Sequence, residues 1–242
     1  LQGDEFTEHL KGMTKTTNRG IPIYIYASSG HPQIVTPLQS TTQANIKKFG
    51  QGMEMGDDIR LYELSNDAFQ TLRSQYMNIN IRPGSATLAI GVVVDGYLIG
   101  VYAFSAAPSV AQWDKHIETP TVYLLSDFPV EPTDYKHLAK LVLYAALSKE
   151  SKRIAERITK RRAASLVTTA FSKNPESMKY RGLFKVLNRK HNDSLQKADW
   201  AKDIDPANAY YLQPYEINYG APMGQWTLKE GLALWKKKHS QK

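Results

Sequence analysis

The chain has 242 residues, 42% of them hydrophobic and 22% charged, a balance that supports a packed core and argues against a disordered polypeptide. It contains no cysteine, which excludes disulfides, thiolate metal sites and a cysteine nucleophile. The net charge of +8 is unevenly placed: residues 1–120 hold 9 Lys+Arg against 11 Asp+Glu and residues 121–242 hold 22 against 12, so a polyanionic partner is expected at the second half.

No apolar run is long enough to span a bilayer. The start, Leu1-Gln2-Gly3-Asp4-Glu5, shows neither a signal peptide nor an initiator Met, so a cytoplasmic fragment of a longer polypeptide is expected. Residues 1–58 are expected to form an N-terminal arm with an accessory strand, and 59–242 the main domain. Within the arm, 1–20 are polar and read as a linker, and Ile21 to Tyr26 alternates as a strand before the turn residues Ser28-Ser29-Gly30-His31-Pro32. Ile59 to Leu64 alternates again, and Ser65 or Asn66 caps a helix through Phe69, Leu72 and Tyr76. Thr87–Val94 and Tyr97–Ser105, joined by Asp95-Gly96, form a β-hairpin, because Asp-Gly supplies the positive φ angles of a tight turn. Thr121 to Leu125 is a buried strand ending at Ser126-Asp127-Phe128-Pro129.

After Pro132 the spacing of Leu138, Leu141, Val142, Ala145, Ile154 and Ile158 predicts one long helix. Lys149, Arg153, Arg157 and Arg161 recur every four residues on its other face, and 149–162 holds seven basic residues against two acidic ones. With Arg162 this ridge is spaced to follow a phosphate backbone, the alternative being a solvated helix face. Leu166 to Phe171 is a strand. Asn174-Pro175-Glu176 then starts a predicted helix carrying Tyr180, Phe184 and Leu187, with Lys179, Arg181, Lys185 and Arg189 as a second basic group. Tyr215 to Tyr219 is a short strand, and Thr227 caps a closing helix through Leu228, Leu232 and Trp235 that ends in Lys236-Lys237-Lys238. The order of elements implies an α/β (α+β) fold with a mixed central sheet, since a hairpin in the middle does not belong to a regular βα alternation.

Order and lengths over 59–220 resemble the GNAT (Gcn5-related N-acetyltransferase) fold, a central mixed sheet flanked by helices. Asn174 to Phe184 is similar to the late GNAT motif in which an Asn follows a strand and a Tyr sits shortly before Gly-Phe. That resemblance implies Tyr180 as the acid that protonates a leaving group, with Asn174, and Tyr135 and Lys136 of the loop before the long helix, near the cofactor. A phenol suits this role because it holds its proton at neutral pH. The resemblance also puts Ser126-Asp127 where two strands part around the acyl group, Asp127 taking a proton from an amine and Ser126 polarising the acyl oxygen; the alternative is an ordinary Asx turn. The loop Val130 to Leu138 departs from the family, having no glycine and carrying Glu131 and Asp134 where a pyrophosphate would sit.

The stretch Lys179–Phe184, the hairpin and the tail Asn218–Leu228 look like phage-encoded proteins of the Mom type. That resemblance implies transfer of an acyl-derived (carbamoylmethyl or acetamido-like) group to N6 of adenine in duplex DNA, which blocks restriction, in the host cytoplasm, with an upstream domain in some relatives. A base in duplex DNA must be flipped, and Tyr24, Tyr26, Tyr102, Trp113 and Tyr123 are candidate receivers, with His31 a further loop residue to place. The donor stays open between an acyl-CoA and an aminoacyl-tRNA. The six histidines have no metal-ligand spacing, and no Gly-x-Ser-x-Gly elbow is present. Two other functions stay open as well: a conventional acetyl-CoA-dependent N-acetyltransferase of a small molecule or protein, and an inactive module that only binds nucleic acid.

Overall fold

The computed structural model describes residues 12–18, 21–27, 53–77, 86–106, 115–130, 135–191 and 213–239. The chain divides into two compact units, Leu1–Gln39 and Ser40–Lys242. In the first, β1 (Gly12–Asn18) pairs antiparallel with β2 (Ile21–Ala27), so residues 12–18 form a strand where the polarity of the segment suggests a linker. Thr14, Thr16 and Thr17 explain it: a β-branched residue fits a pleated strand whether or not it is apolar.

The second unit is built on seven strands. β3 (Ile59–Leu64) leads into α1 (Asn66–Tyr76), whose N-cap Ser65 accepts from the Ala68 N–H at 3.2 Å. β4 (Leu88–Val94) and β5 (Tyr97–Ala106) form the hairpin, with Asp95 and Gly96 at φ 51° and 79° as the tight turn demands. β6 (Thr121–Pro129) is followed by α2 (Leu138–Ala146), α3 (Lys149–Thr159) and β7 (Ser165–Ser172). β8 (Lys185–His191), β9 (Tyr215–Pro222) and α4 (Leu228–His239) complete the unit. The sheet order is β3-β4-β5-β6-β7-β9-β8, antiparallel except where β6 meets β7. The class is α/β with a mixed sheet, helices covering both faces. Ile90, Tyr102, Phe104 and Leu124 pack with α2 and Trp235 of α4 on one face. Ala89, Val101, Ala103 and Phe128 pack with Phe69 and Leu72 of α1 on the other.

Two predicted helices come out differently. The long helix is broken at Leu147-Ser148, where buried Ser148 caps α3 by accepting from the Ser151 N–H at 3.1 Å. The chain after β9 docks into the break: the Gly224 N–H donates to the Leu147 carbonyl at 2.9 Å and the Lys149 N–H to the Trp226 carbonyl at 2.7 Å. The apolar spacing continues across the break, which is why periodicity reads it as one helix. The helix expected from Asn174 is instead one turn, with the Phe184 N–H bonded to the Tyr180 carbonyl at 3.0 Å. Gly182 at φ 81° ends it, and Lys185 to His191 become an edge strand on β9. Thr227 does cap α4, in a reciprocal pair: its N–H donates to Glu230 Oε2 at 2.7 Å and its Oγ1 accepts from the Glu230 N–H at 3.3 Å.

The closeness of α2 to the sheet depends on Gly100. A Cβ there would stand 2.5 Å from the Phe128 carbonyl oxygen and 2.5 Å from Val142 Cγ2. Gly100→Ala is therefore expected to destabilise the protein by about 1–3 kcal/mol. Urea unfolding checks this, and an unchanged midpoint would contradict the packing described.

Candidate active site

β6 and β7 pair in parallel over three positions, Thr121 with Ser165, Val122 with Leu166 and Tyr123 with Val167. Beyond them the strands no longer share a ladder, and two β6 carbonyls are satisfied by side chains: Leu124 by the Thr168 hydroxyl at 2.9 Å and Asp127 by the Lys179 ammonium at 2.7 Å. On the β5 side β6 shifts register next to Leu125, and Asp127 then stands opposite Tyr102. Asp127 is thus a carboxylate placed inside a sheet, 7% exposed.

Burying a charge there is costly unless it is paired. The turn after β7 supplies both partners from adjacent residues. The Tyr180 hydroxyl donates to Asp127 Oδ1 at 3.0 Å, and Lys179 Nζ forms an ion pair with Oδ2, which has no further hydrogen-bond partner. Tyr180 is held by its ring, 4.8 Å from that of Tyr219 and 5.4 Å edge-on from that of Phe184, and Tyr219 is itself fixed by accepting from the Ser177 N–H at 2.7 Å. Desolvation pushes the Asp127 carboxyl above its ordinary value, while the Lys179 charge and the bonds from Lys179 and Tyr180 pull it down. Tyr180 is 4% exposed, whereas the Lys179 side chain is 29% exposed and forms the solvent-facing side of the trio.

The other residues singled out from sequence fall elsewhere. Ser126 is buried opposite Ala103, so strand alternation turns it to the α1 face, away from Asp127. Asn174 is exposed, its N–H bonded to Ser172 Oγ at 3.1 Å. Tyr135 ties α2's leading loop to the chain before β3, its hydroxyl accepting from the Met55 N–H at 2.8 Å and donating to the Met53 carbonyl at 2.7 Å. Lys136 is exposed just before α2. Tyr102 is core, fully buried with its hydroxyl donating to Ser151 Oγ at 2.9 Å, and Tyr123 is half-buried on β6. His31, Trp113, Glu131, Asp134 and the side chains of Tyr24 and Tyr26 lie outside the described residues.

The basic ridge is shorter than its spacing suggests. Lys149, Arg153 and Arg157 are exposed along α3, but Lys160 at φ 54° ends the helix, leaving Arg161 and Arg162 in the following loop. Arg157 lies 3.9 Å from Glu63 and Arg162 3.1 Å from Glu118. In the second basic group, Lys185 is exposed at the start of β8 and Arg181 pairs with Glu176 at 3.3 Å. Lys179 is the residue whose place sequence reading missed. It stands beside a basic cluster in the chain, yet its charge is directed inward to Asp127.

The GNAT-like architecture raises the question of coenzyme A. An extended pantetheine arm between β6 and β7 would need free strand-edge groups, and the Leu124 and Asp127 carbonyls already accept from Thr168 and Lys179. With both carbonyls taken, the gap does not fit that arm.

Fold and site define an α/β protein with a buried carboxylate, Asp127, bonded by Tyr180 and Lys179 beside the parting of two parallel strands. The family model for the phage GNAT-like domain matches residues 56–240, and the chain belongs to that family. No curated protein matches it. Among solved structures it is similar to an acetyltransferase from Bacillus subtilis in complex with CoA (17% identity, 68% of this chain and 97% of that one, TM-score 0.40). It is also similar to an IAA acetyltransferase from Bacillus cereus (10% identity, 69% and 100%, TM-score 0.35). A third is a GNAT family acetyltransferase from Elizabethkingia anophelis with acetyl-CoA bound (11%, 69% and 100%, TM-score 0.37). Among the described residues no helix is long and apolar enough to cross a membrane.

Removing the Lys179 charge leaves only the Tyr180 bond to oppose burial, so the folded-state pKa of Asp127 moves further above the unfolded value. A carboxyl raised in this way is harmless below its unfolded pKa and costs stability as pH rises through the folded one. Lys179→Met should therefore be less stable than wild type by about 3 kcal/mol at pH 8. The deficit should shrink as pH falls toward the ordinary carboxylate range. Thermal unfolding across pH checks this, and a pH-independent deficit would contradict the pairing.

Proposed function

We propose that the protein is a GNAT-like transferase that adds an acyl-derived, carbamoylmethyl or acetamido-like, group to N6 of adenine in duplex DNA, as the Mom-type resemblance suggests, and so protects that DNA from restriction. The observation that carries the reading is the Asp127–Tyr180 hydrogen bond, 3.0 Å long, in a buried setting with Lys179 beside it.

Group transfer to an exocyclic amine needs two proton movements. The amine nitrogen must lose a proton as its new bond forms, and the departing atom of the donor must gain one. Asp127, whose pKa Lys179 lowers against the larger effect of burial, accepts the first at Oδ2, the oxygen that Lys179 covers. Tyr180 gives up the second, and the proton taken by the Asp127 carboxyl returns to the Tyr180 phenolate once the carboxyl turns its protonated oxygen toward it. Lys179 covers Oδ2, so in this reading the substrate amine displaces the Lys179 ammonium, whose side chain is 29% exposed, to reach the base. The excess of positive charge in residues 121–242 supports a polyanionic substrate. Ser126, on the opposite face, takes no part in this reading.

Nucleoside mass spectrometry of plasmid DNA from expressing cells tests it. Wild-type protein should yield a modified deoxyadenosine absent from the vector control. Asp127→Asn, which keeps the shape and the Tyr180 contact, should lower it at least about 100-fold. No new nucleoside, together with acetylation of small amines or proteins from acetyl-CoA, would replace this reading by that of a conventional N-acetyltransferase. DNA binding with no modification would replace it by that of an inactive binding module.

A further inference from the structure

Between β9 and α4 the chain walls an open cavity of about 500 Å³, a size that takes a small ligand or one unit of a polymer. Glu230, Ala233, Leu234 and Lys237 recur along one face of α4 and line one side, and Lys149 and Trp226 line another. The cavity lies toward the end of the sheet away from Asp127. Pro222 stands beside Ser165, Ser165 pairs with Thr121, and Asp127 comes near the other end of β6.

Trp226 is held as a fixed wall. Its Nε1 donates to the Tyr144 carbonyl at 2.8 Å, and its ring centroid lies 5.1 Å from that of Tyr144. Gly231 lets the indole rest on α4, since a Cβ there would stand 2.9 Å from Trp226 Cδ1. Exposed Ala233 and Leu234 extend the apolar lining, and Lys149 and Lys237 supply positive charge. Nearby carboxylates are engaged at the start of α4: Glu230 Oε2 accepts from the Thr227 N–H at 2.7 Å and Glu150 Oε2 from the Leu228 N–H at 3.0 Å. Among the described residues Lys149, Arg153 and Lys237 form no ion pair. From the cavity the exposed cations Lys149, Arg153 and Arg157 continue along α3 in steps of about 6 Å, Arg157 lying 3.9 Å from Glu63.

The geometry points to a single-stranded nucleic-acid site, separate from the Asp127 trio. An unpaired base stacks on Trp226 and packs against Leu234, its flanking phosphates lie on Lys149 and Lys237, and the backbone follows Arg153 and Arg157. A fixed aromatic ring beside a track of cations suits this ligand, because every base has a π face and every nucleotide brings a phosphate. A duplex keeps its bases inside the stack and offers none to Trp226. In an acidic protein segment the carboxylates recur at no fixed interval, whereas a nucleic acid carries a charge on each unit to meet a ridge of regular step. The inference does not depend on the DNA-modification reading.

Fluorescence anisotropy with labelled oligothymidylate, over a salt series, tests the proposal on the whole chain, with tryptophan fluorescence followed in parallel. Wild type should bind with quenching, and Trp226→Phe should keep binding and lose most of that quenching. Ala233→Glu, at an exposed helix position, puts a carboxylate into the cavity and should weaken binding at least about tenfold. Lys149→Gln with Arg153→Gln should reduce the slope of log affinity against log salt by about 1.4, roughly 0.7 per lost contact. A wild-type protein that does not bind oligothymidylate, or wild-type behaviour in both the Ala233 and the double variant, would overturn the site. Undiminished quenching in Trp226→Phe, or equal quenching by a blunt duplex, would overturn the stacking of an unpaired base. Competition by polyglutamate as effective as by unlabelled oligothymidylate would assign the surface to an acidic protein partner instead. Each of these results leaves the reading of Asp127 untouched, because none of the substituted residues belongs to that trio.

Discussion

A carboxylate inside a β-sheet must be neutralised or protonated, and the region around β6 is organised by how Asp127 meets that demand. The two residues that meet it are neighbours in sequence. On an α-helix, adjacent side chains project about 100° apart and do not converge on one carboxylate. The single turn that ends at Gly182 brings Lys179 and Tyr180 to the two oxygens of Asp127, then releases the chain into β8. The departure from helix and the ion pair are thus two sides of one constraint.

The same constraint shapes the space between β6 and β7. After three paired positions the strands have no common ladder, and the groups that take over are Thr168 and Lys179. Lys179 therefore serves two oxygens of one residue, the carboxylate and the main-chain carbonyl.

Much of the fold is legible in the sequence because the signals are local. Asp95-Gly96 dictates its turn, Ser65 and Thr227 cap their helices through their own hydroxyls, and the runs at 121–125 and 166–171 are apolar enough to be buried strands. What is not legible depends on distant groups. Nothing between 138 and 158 announces that residues 224–226 dock against Leu147 and Lys149 and break the helix. Asn174-Pro175-Glu176 is a sound helix start, overridden because β9 offers 185–191 a ladder. Asp127 and Tyr180 can be singled out by resemblance, and the structure brings them together. Lys179 cannot be told from the basic residues around it until the carboxylate it faces is located, and Ser126 differs from Asp127 in face, which a register shift beside Leu125 decides.

The central claim is that Lys179 lowers the pKa of the buried Asp127 carboxyl, offsetting part of what burial raises. Its most direct test is a ¹³C NMR titration of the Asp127 carboxyl in aspartate-labelled protein, with the resonance assigned by its loss in Asp127→Asn. The account predicts that the Asp127 titration midpoint moves to distinctly higher pH in Lys179→Met and returns toward the wild-type value in Lys179→Arg. An identical midpoint in wild type and Lys179→Met would contradict it.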